Sequence, residues 1–285
     1  VIKKSGGLFG AGEQTGSIGV VTINLPQLAY RAKGDKDTFF SLLNSYMDIA
    51  AKSLRLKRKV IEKLTDQGFY PYQKHYIHTW NTFFNTIGLC GGHEACLNIS
   101  NGSYGIADPE GQEFMNEVLD FMIAKSQDYQ EEDSGLWNIE ATPAEGTSTR
   151  LALHDSKNYP GIIQSGTSKA PYYTNSTWLP VNYTDDVFEA LDIEDQFQSK
   201  YTGGTVLHAY LGSAITDWKV TADLVKSIFN NYKLPYLTIS PTYSICPIHG
   251  YISGEHKFCP ECKTEELIEL RKQINELENA NDNLD

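Results

Sequence analysis

Three of the five cysteines fall within residues 246–262, in the spacing C-x2-H-x9-C-x2-C. No other stretch limits so narrowly what the chain can fold into. Two close pairs of soft donors, each on a tight turn and joined by a short hairpin, match the tetrahedral coordination of Zn2+. Pro247 and Pro260 stiffen the two turns, and Gly250 and Gly254 let the chain reverse between them. The expected ligands are Cys246, His249, Cys259 and Cys262, with His256 an alternative fourth ligand outside the paired spacing. A site closed by four protein ligands has no open position, so the expected role of the Zn2+ is structural. Free thiols or a redox C-x-x-C are the rival reading, but a redox pair needs no second pair nearby.

The cysteines do not resemble a secreted disulfide framework, and a reducing cytoplasm is the expected compartment. A formal net charge of −12 argues against a broad nucleic-acid-binding face, so no nucleic-acid polymer is expected as a partner. It leaves room for a nucleotide pocket, where a few local donors outweigh distant charge. No apolar run approaches the ~18–20 residues of a membrane span, and no membrane association is expected. The opening Val1-Ile-Lys-Lys-Ser-Gly-Gly has neither an initiator Met nor an apolar signal region, and reads as the middle of a longer protein.

Ser17–Asn24 reads as a buried strand that Pro26 stops. From Asp35 to Leu64, Phe39, Leu42, Leu43, Tyr46, Ile49, Ala50 and Leu54 recur at helical spacing, and the basic stretch Arg55–Lys63 reads as a solvated helix end. Thr86–Leu89, Leu136–Glu140, Val206–Leu211 and Tyr236–Ile239 read as further strands; Pro109–Tyr129 and Asp217–Tyr232 read as helices. Strands alternating with long helices predict an α/β architecture with substantial parallel pairing. In the tail, Leu267, Leu270, Ile274, Leu277 and Leu284 predict an amphipathic helix in a charged, Asn-rich background.

Several segments together are similar to one family. They are Ser17-Ile-Gly-Val-Val-Thr-Ile-Asn-Leu-Pro26, Thr86-Ile-Gly-Leu89, Glu94-Ala-Cys-Leu-Asn98 and Glu140-Ala-Thr-Pro-Ala-Glu-Gly146, then Tyr173-Thr-Asn-Ser176, Leu179-Pro-Val181, Tyr201-Thr-Gly-Gly-Thr-Val206 and the Cys/His segment. In this order they resemble class III, anaerobic ribonucleoside-triphosphate reductase. The resemblance implies part of the ten-stranded α/β barrel of the glycyl-radical enzyme type, with a small C-terminal zinc-binding segment. It divides the chain into residues 1–240 (partial barrel), 241–263 (zinc-binding segment) and 264–285 (amphipathic helical tail). The implied reaction replaces the ribose 2′-hydroxyl of a ribonucleoside triphosphate by hydrogen. A glycyl radical generates a cysteine thiyl radical that abstracts the 3′-hydrogen, and a radical-SAM iron–sulfur activating enzyme installs the glycyl radical. The family also implies a homodimer.

Two parts that the family needs are not found in this sequence: a Cys-Arg loop upstream of Ser17 and an Arg-Val-x-Gly-Tyr motif after Cys262. The expectation is a fragment, or one chain of a split protein whose radical glycine arrives on a separate glycyl-radical chain. Ser17 stands near the position of an Asn found in many formate-using members, which leaves formate and a dithiol both open as reductant. The catalytic residues stay unknown, with Cys90, Cys96 and Glu140 as candidates; small buried apolar residues are the plainer reading of both cysteines. His93 and Glu94 offer an acid–base pair among many eligible polar residues, and Glu140 and Glu145 either support substrate or cap backbone N–H groups. Thr174, Asn175 and Ser176 are the preferred substrate contacts, since hydroxyls and an amide suit sugar or phosphate oxygens, and a structural turn is the alternative. Rival functions are a non-catalytic barrel and zinc module for assembly, a decayed remnant, or another glycyl-radical enzyme.

Overall fold

The computed structural model describes residues 15–281 apart from 182, 212–214, 216, 242, 254, 255 and 257. The glycine-rich opening up to residue 14, Gly254 and Leu284 therefore lie outside the described residues. The chain divides into two compact units, one running up to Leu207 and including Tyr232–Tyr236, the other made of His208–Asn231 and the residues from Leu237 onward.

A three-stranded parallel sheet, in the order β1 (Gly16–Asn24), β2 (Phe83–Cys90) and β3 (Leu136–Glu140), organises the first unit. After β1, Pro26 both ends the strand and sits in the first turn of helix α1 (Leu25–Ala32), where the Asn24 side chain accepts from the Gln27 N–H at 3.4 Å. The sequence reading took Pro26 only as a strand stop. Helix α2 (Lys36–Asp66) is capped by Asp35, whose carboxylate accepts from the Thr38 N–H at 3.1 Å. Its buried stripe is Phe39, Leu43, Met47, Ala50, Ala51 and Leu54, while Ile49 faces solvent. Its basic end is only partly a solvated one. Arg55 pairs with Glu132 and Asp133 at 2.8 Å each, and Arg58 donates to the carbonyls of Trp80 and Phe83.

The short exposed helix α3 (Pro71–Tyr76) leads to β2 (Phe83–Cys90), which is followed by α4 (Gly92–Ile99) and α5 (Pro109–Asp133). β3 spans Leu136–Glu140, the range read from the sequence. Side chains alternate across a strand, so Ile23, Ile87, Leu89, Trp137 and Ile139 join the core with α2 and α5. Thr22, Thr86, Gly88, Asn138 and Glu140 take the opposite, polar face. Helix α6 (Glu145–Asn158), the hairpin β4 (Ser165–Thr167)–β5 (Ala170–Tyr172) and helix α7 (Val187–Gln198) follow. Thr202–Gly204 runs beside β3, with Gly203 N–H donating to Ile139 O at 2.8 Å and Ala141 N–H to Gly204 O at 2.9 Å.

β6 (Leu207–Leu211) and β7 (Leu237–Pro241) form a two-stranded sheet, with α8 (Trp218–Asn231) between them in sequence. An antiparallel hairpin, β8 (Tyr243–Cys246) and β9 (Gly250–Ser253), precedes α9 (Pro260–Asn281). The fold is thus mixed α/β with small sheets, and the described residues do not themselves build ten barrel strands. The crossovers joining β1 to β3 already take residues 16–140, so ten strands connected in this way would outrun the chain.

Phe114 is fully buried, edge-on to Phe39 at 5.0 Å between centroids. Phe114→Ala is expected to cost about 3–5 kcal/mol, read as a lower urea midpoint with the native circular dichroism retained in buffer.

Candidate metal centre and strand-end site

The second unit gathers its four donors by local geometry. Cys246 ends β8 opposite Gly250 in the hairpin register, and the left-handed Gly250 (φ 75°) turns the chain back just after His249. Cys259 immediately precedes α9, and Cys262 lies in its first turn. One ligand atom from each of Cys246, His249, Cys259 and Cys262 lies within 4.8 Å of the others, while His256 stays outside the cluster. The His249 Nδ1 is 3.7, 3.5 and 3.4 Å from the sulfurs of Cys246, Cys259 and Cys262, and the Cys246 and Cys262 sulfurs are 3.6 Å apart. A tetrahedron with Zn–S of about 2.3 Å and Zn–N of about 2.05 Å has S···S edges of ~3.8 Å and S···N edges of ~3.5 Å. The donor set therefore fits a tetrahedral ion of that size.

The surroundings favour an ionised sulfur at Cys246. N–H groups of Ile248 and Cys262 donate to the sulfurs of Cys246 and Cys259 at 3.4 Å each. Hydrogen bonds from the backbone at His249 and Ile248 bring the Cys246 thiol down to about 6. Beside it, Cys262 is pushed up to about 12, chiefly by its hydrogen bond with Cys246. A cation among the donors would favour the ionised form of a coordinating sulfur. The His249 Nε2 lies 3.3 Å from Glu265 Oε1, a partner that fixes the ring with Nδ1 toward the sulfurs.

In the first unit, polar groups collect where the parallel strands end, which is where ligand sites of open α/β sheets lie. Residues 173–176 run across the end of β2, with Gly91 N–H donating to Thr174 O and Gly92 N–H to Ser176 O, each at 2.8 Å. Gly91 is required here, since its φ is 79° and a Cβ would meet Pro26 Cγ at 2.3 Å. Thr174 is committed inward, donating from both N–H and Oγ1 to the fully buried carboxylate of Glu94 at 2.8–3.1 Å. Ser176 is buried and donates to Thr142 O at 3.5 Å. Asn175 donates from Nδ2 to Glu145 Oε1 at 3.5 Å, and its Oδ1 has no partner.

Cys90 is buried at the end of β2, 3.9 Å from Thr174 O, and burial pushes its thiol up to about 12. Cys96 sits in the apolar core on α4, beside Gly111 O at 3.6 Å, with its thiol raised by the same cause. Glu140, half-buried on the polar face, is raised by desolvation. On that face Asn138 is fully buried with neither amide atom partnered. His93 is lowered by burial, and its Nδ1 accepts from the Ile106 N–H at 3.4 Å, away from the strand ends. Ser17 lies at the start of β1, hydrogen-bonded to Thr86.

Two buried carboxylates escaped the sequence reading. Asp155 on α6 accepts from Asn24, Gln27 and Tyr173, and Glu194 on α7 accepts from Leu179 N–H at 2.6 Å and Gln198 Nε2 at 2.8 Å. Desolvation raises Glu194 to about 7. Their signal was an acid on an apolar helix stripe: Asp155 follows Ser148 and Ala152 at spacings of seven and three, and Glu194 sits between Leu191 and Phe197.

A family model for anaerobic ribonucleoside-triphosphate reductase matches residues 3–274. The chain belongs to that family. It is 24% identical over 267 residues to the anaerobic ribonucleoside-triphosphate reductase of Escherichia coli (strain K12), covering 86% of this chain and 37% of the relative. The Haemophilus influenzae relative is 24% identical over 266 residues, with the same coverage of 86% and 37%. A crystal structure of the Thermotoga maritima anaerobic ribonucleotide reductase with glycerol in the active site is similar, with a TM-score of 0.73 at 25% identity over 90% of this chain and 42% of that one. Another from the same organism, with dATP bound in the specificity site, gives 0.70 at 25% identity over 87% and 41%. The chain thus spans about 37% of the length of the curated reductases it matches.

Elemental analysis of the protein is expected to give about one tightly held ion per chain, and Cys259→Ser to remove it and loosen the hairpin and the start of α9. Because three sulfurs must lose protons and His249 must be neutral, retention is expected to fall as pH falls, measured by competition with a chromophoric chelator. A well-folded protein free of metal would contradict this assignment.

Proposed function

We propose that this chain is the strand-end and metal-centre portion of an anaerobic ribonucleoside-triphosphate reductase, a cytoplasmic enzyme that makes deoxyribonucleoside triphosphates. The observation that carries this reading is the family match across residues 3–274, which takes in both the polar strand ends and the Cys/His cluster. Residues 1–240 then form part of the ten-stranded glycyl-radical-type barrel, whose interior is the polar face bearing Thr22, Thr86, Asn138 and Glu140. Residues 241–263 form the zinc-binding segment, and residues 264–285 the helical tail. Zn2+ on Cys246, His249, Cys259 and Cys262 has a structural role, holding the β8–β9 hairpin to the start of α9.

The radical chemistry is supplied by a glycyl radical carried elsewhere, installed by a radical-SAM iron–sulfur activating enzyme. The task of this chain's residues is to bind and orient. Thr174, Asn175 and Ser176 line the end of β2, and the unpartnered Asn175 Oδ1 is suited to accept from a ribose hydroxyl. Glu140, raised by desolvation, is the nearby carboxyl able to hold a proton on the polar face. Helices α2 and α5 seal the other face of the sheet against water. A homodimer is the expected assembly.

Reconstitution with the remaining reductase segments and the activating enzyme, under strict anaerobiosis, should give a glycyl EPR signal and convert CTP to dCTP. Absence of both would overturn the proposal and favour a non-catalytic module. In the active assembly, Asn175→Ala is expected to raise KM for the ribonucleotide about tenfold, the loss of one buried hydrogen bond.

A further inference from the structure

We infer that Glu94, Asp155 and Glu194 are positioning residues that clamp residues 173–179 in one ligand-ready shape. The inference rests on the proposal that this stretch meets the substrate through Asn175. All three carboxylates are buried, at 0, 0 and 1% exposure. Burying an acid this deeply is costly unless donors surround it. For each of them, one of those donors comes from the same seven-residue stretch.

Glu94 on α4 receives the Thr174 N–H and Oγ1, and also the Ser165 hydroxyl at 2.5 Å, so it ties the stretch to the β4–β5 hairpin. Asp155 on α6 receives the Tyr173 hydroxyl at 2.9 Å and the Asn24 amide at 2.7 Å, which links the stretch to the end of β1. Glu194 on α7 receives the Leu179 N–H at 2.6 Å. Three separate helices thus hold the first two residues of the stretch and its last.

What the clamp holds is strained. Ser176 has φ 47°, a left-handed conformation that a non-glycine residue keeps only when its surroundings impose it. With Thr174 and Ser176 turned inward, Asn175 Oδ1 is left without a hydrogen-bond partner. Buried beneath the stretch, the carboxylates act through the residues they hold.

Glu94→Gln would turn an amide NH2 toward donors that now meet a carboxylate. Hydrogen exchange at the Thr174 amide of this chain is expected to accelerate about tenfold or more, and KM of the reconstituted reductase for CTP to rise about tenfold with kcat within about twofold. Asn175→Ala should raise KM while leaving Thr174 exchange unchanged. If Glu94→Gln does not fold, Ser165→Ala, which removes a single bond to Glu94, is expected to show both effects in smaller degree. Unchanged Thr174 exchange in the folded Glu94 or Ser165 variant would overturn the clamp. Faster exchange with KM unmoved in both the Glu94 and Asn175 variants would instead sink the reading that this stretch meets substrate.

Discussion

Helices α2 and α5 bury one face of the β1–β2–β3 sheet, and the rest of the first unit follows from that contact. Because side chains alternate, committing Ile23, Ile87, Leu89, Trp137 and Ile139 to the core commits Thr22, Thr86, Asn138 and Glu140 to the other face. Parallel pairing then sends all three strands out at the same end, where Asn24, Gly91 and Ala141 begin their connections. A polar surface whose strand ends coincide is what a shared ligand site requires.

The two units are stabilised by different means. In the first, an extensive apolar core carries buried carboxylates that organise a loop, each surrounded by hydrogen-bond donors. The β8–β9 hairpin of the second has little apolar burial to draw on: Ile245, Ile248, Tyr251 and Phe258 are all strongly exposed. A two-stranded hairpin alone is marginal in water, and the Cys/His cluster is the interaction able to hold it to α9. The four donors come from both the hairpin and the helix start, so an ion held by them would tie the two together where a core does not.

Long periodic segments and paired ligands were legible in the sequence. The helical spacing through Phe39, Leu43 and Leu54, the strand at Leu136–Glu140 and the Cys246/His249/Cys259/Cys262 spacing each reside within a short length of chain. Helices α1, α4, α6 and α7 were not legible. Pro26 reads as a strand stop yet lies in the first turn of α1, and the Gly91-Gly92 pair and Thr142-Pro-Ala144, at or just before the starts of α4 and α6, carry no helical periodicity of their own. Their helical state depends on what packs beside them, as at Gly91, where Pro26 leaves no room for a side chain.

By itself, the sequence carried the Cys/His donor spacing, the α/β class and the family resemblance, because each resides in residue types at short fixed spacings. Only the tertiary structure decided which of the candidate polar residues converge. Glu94, Asp155 and Glu194 are separated by up to 100 residues, yet all reach residues 173–179. That convergence is a matter of three helices packed around one loop, and no local spacing records it.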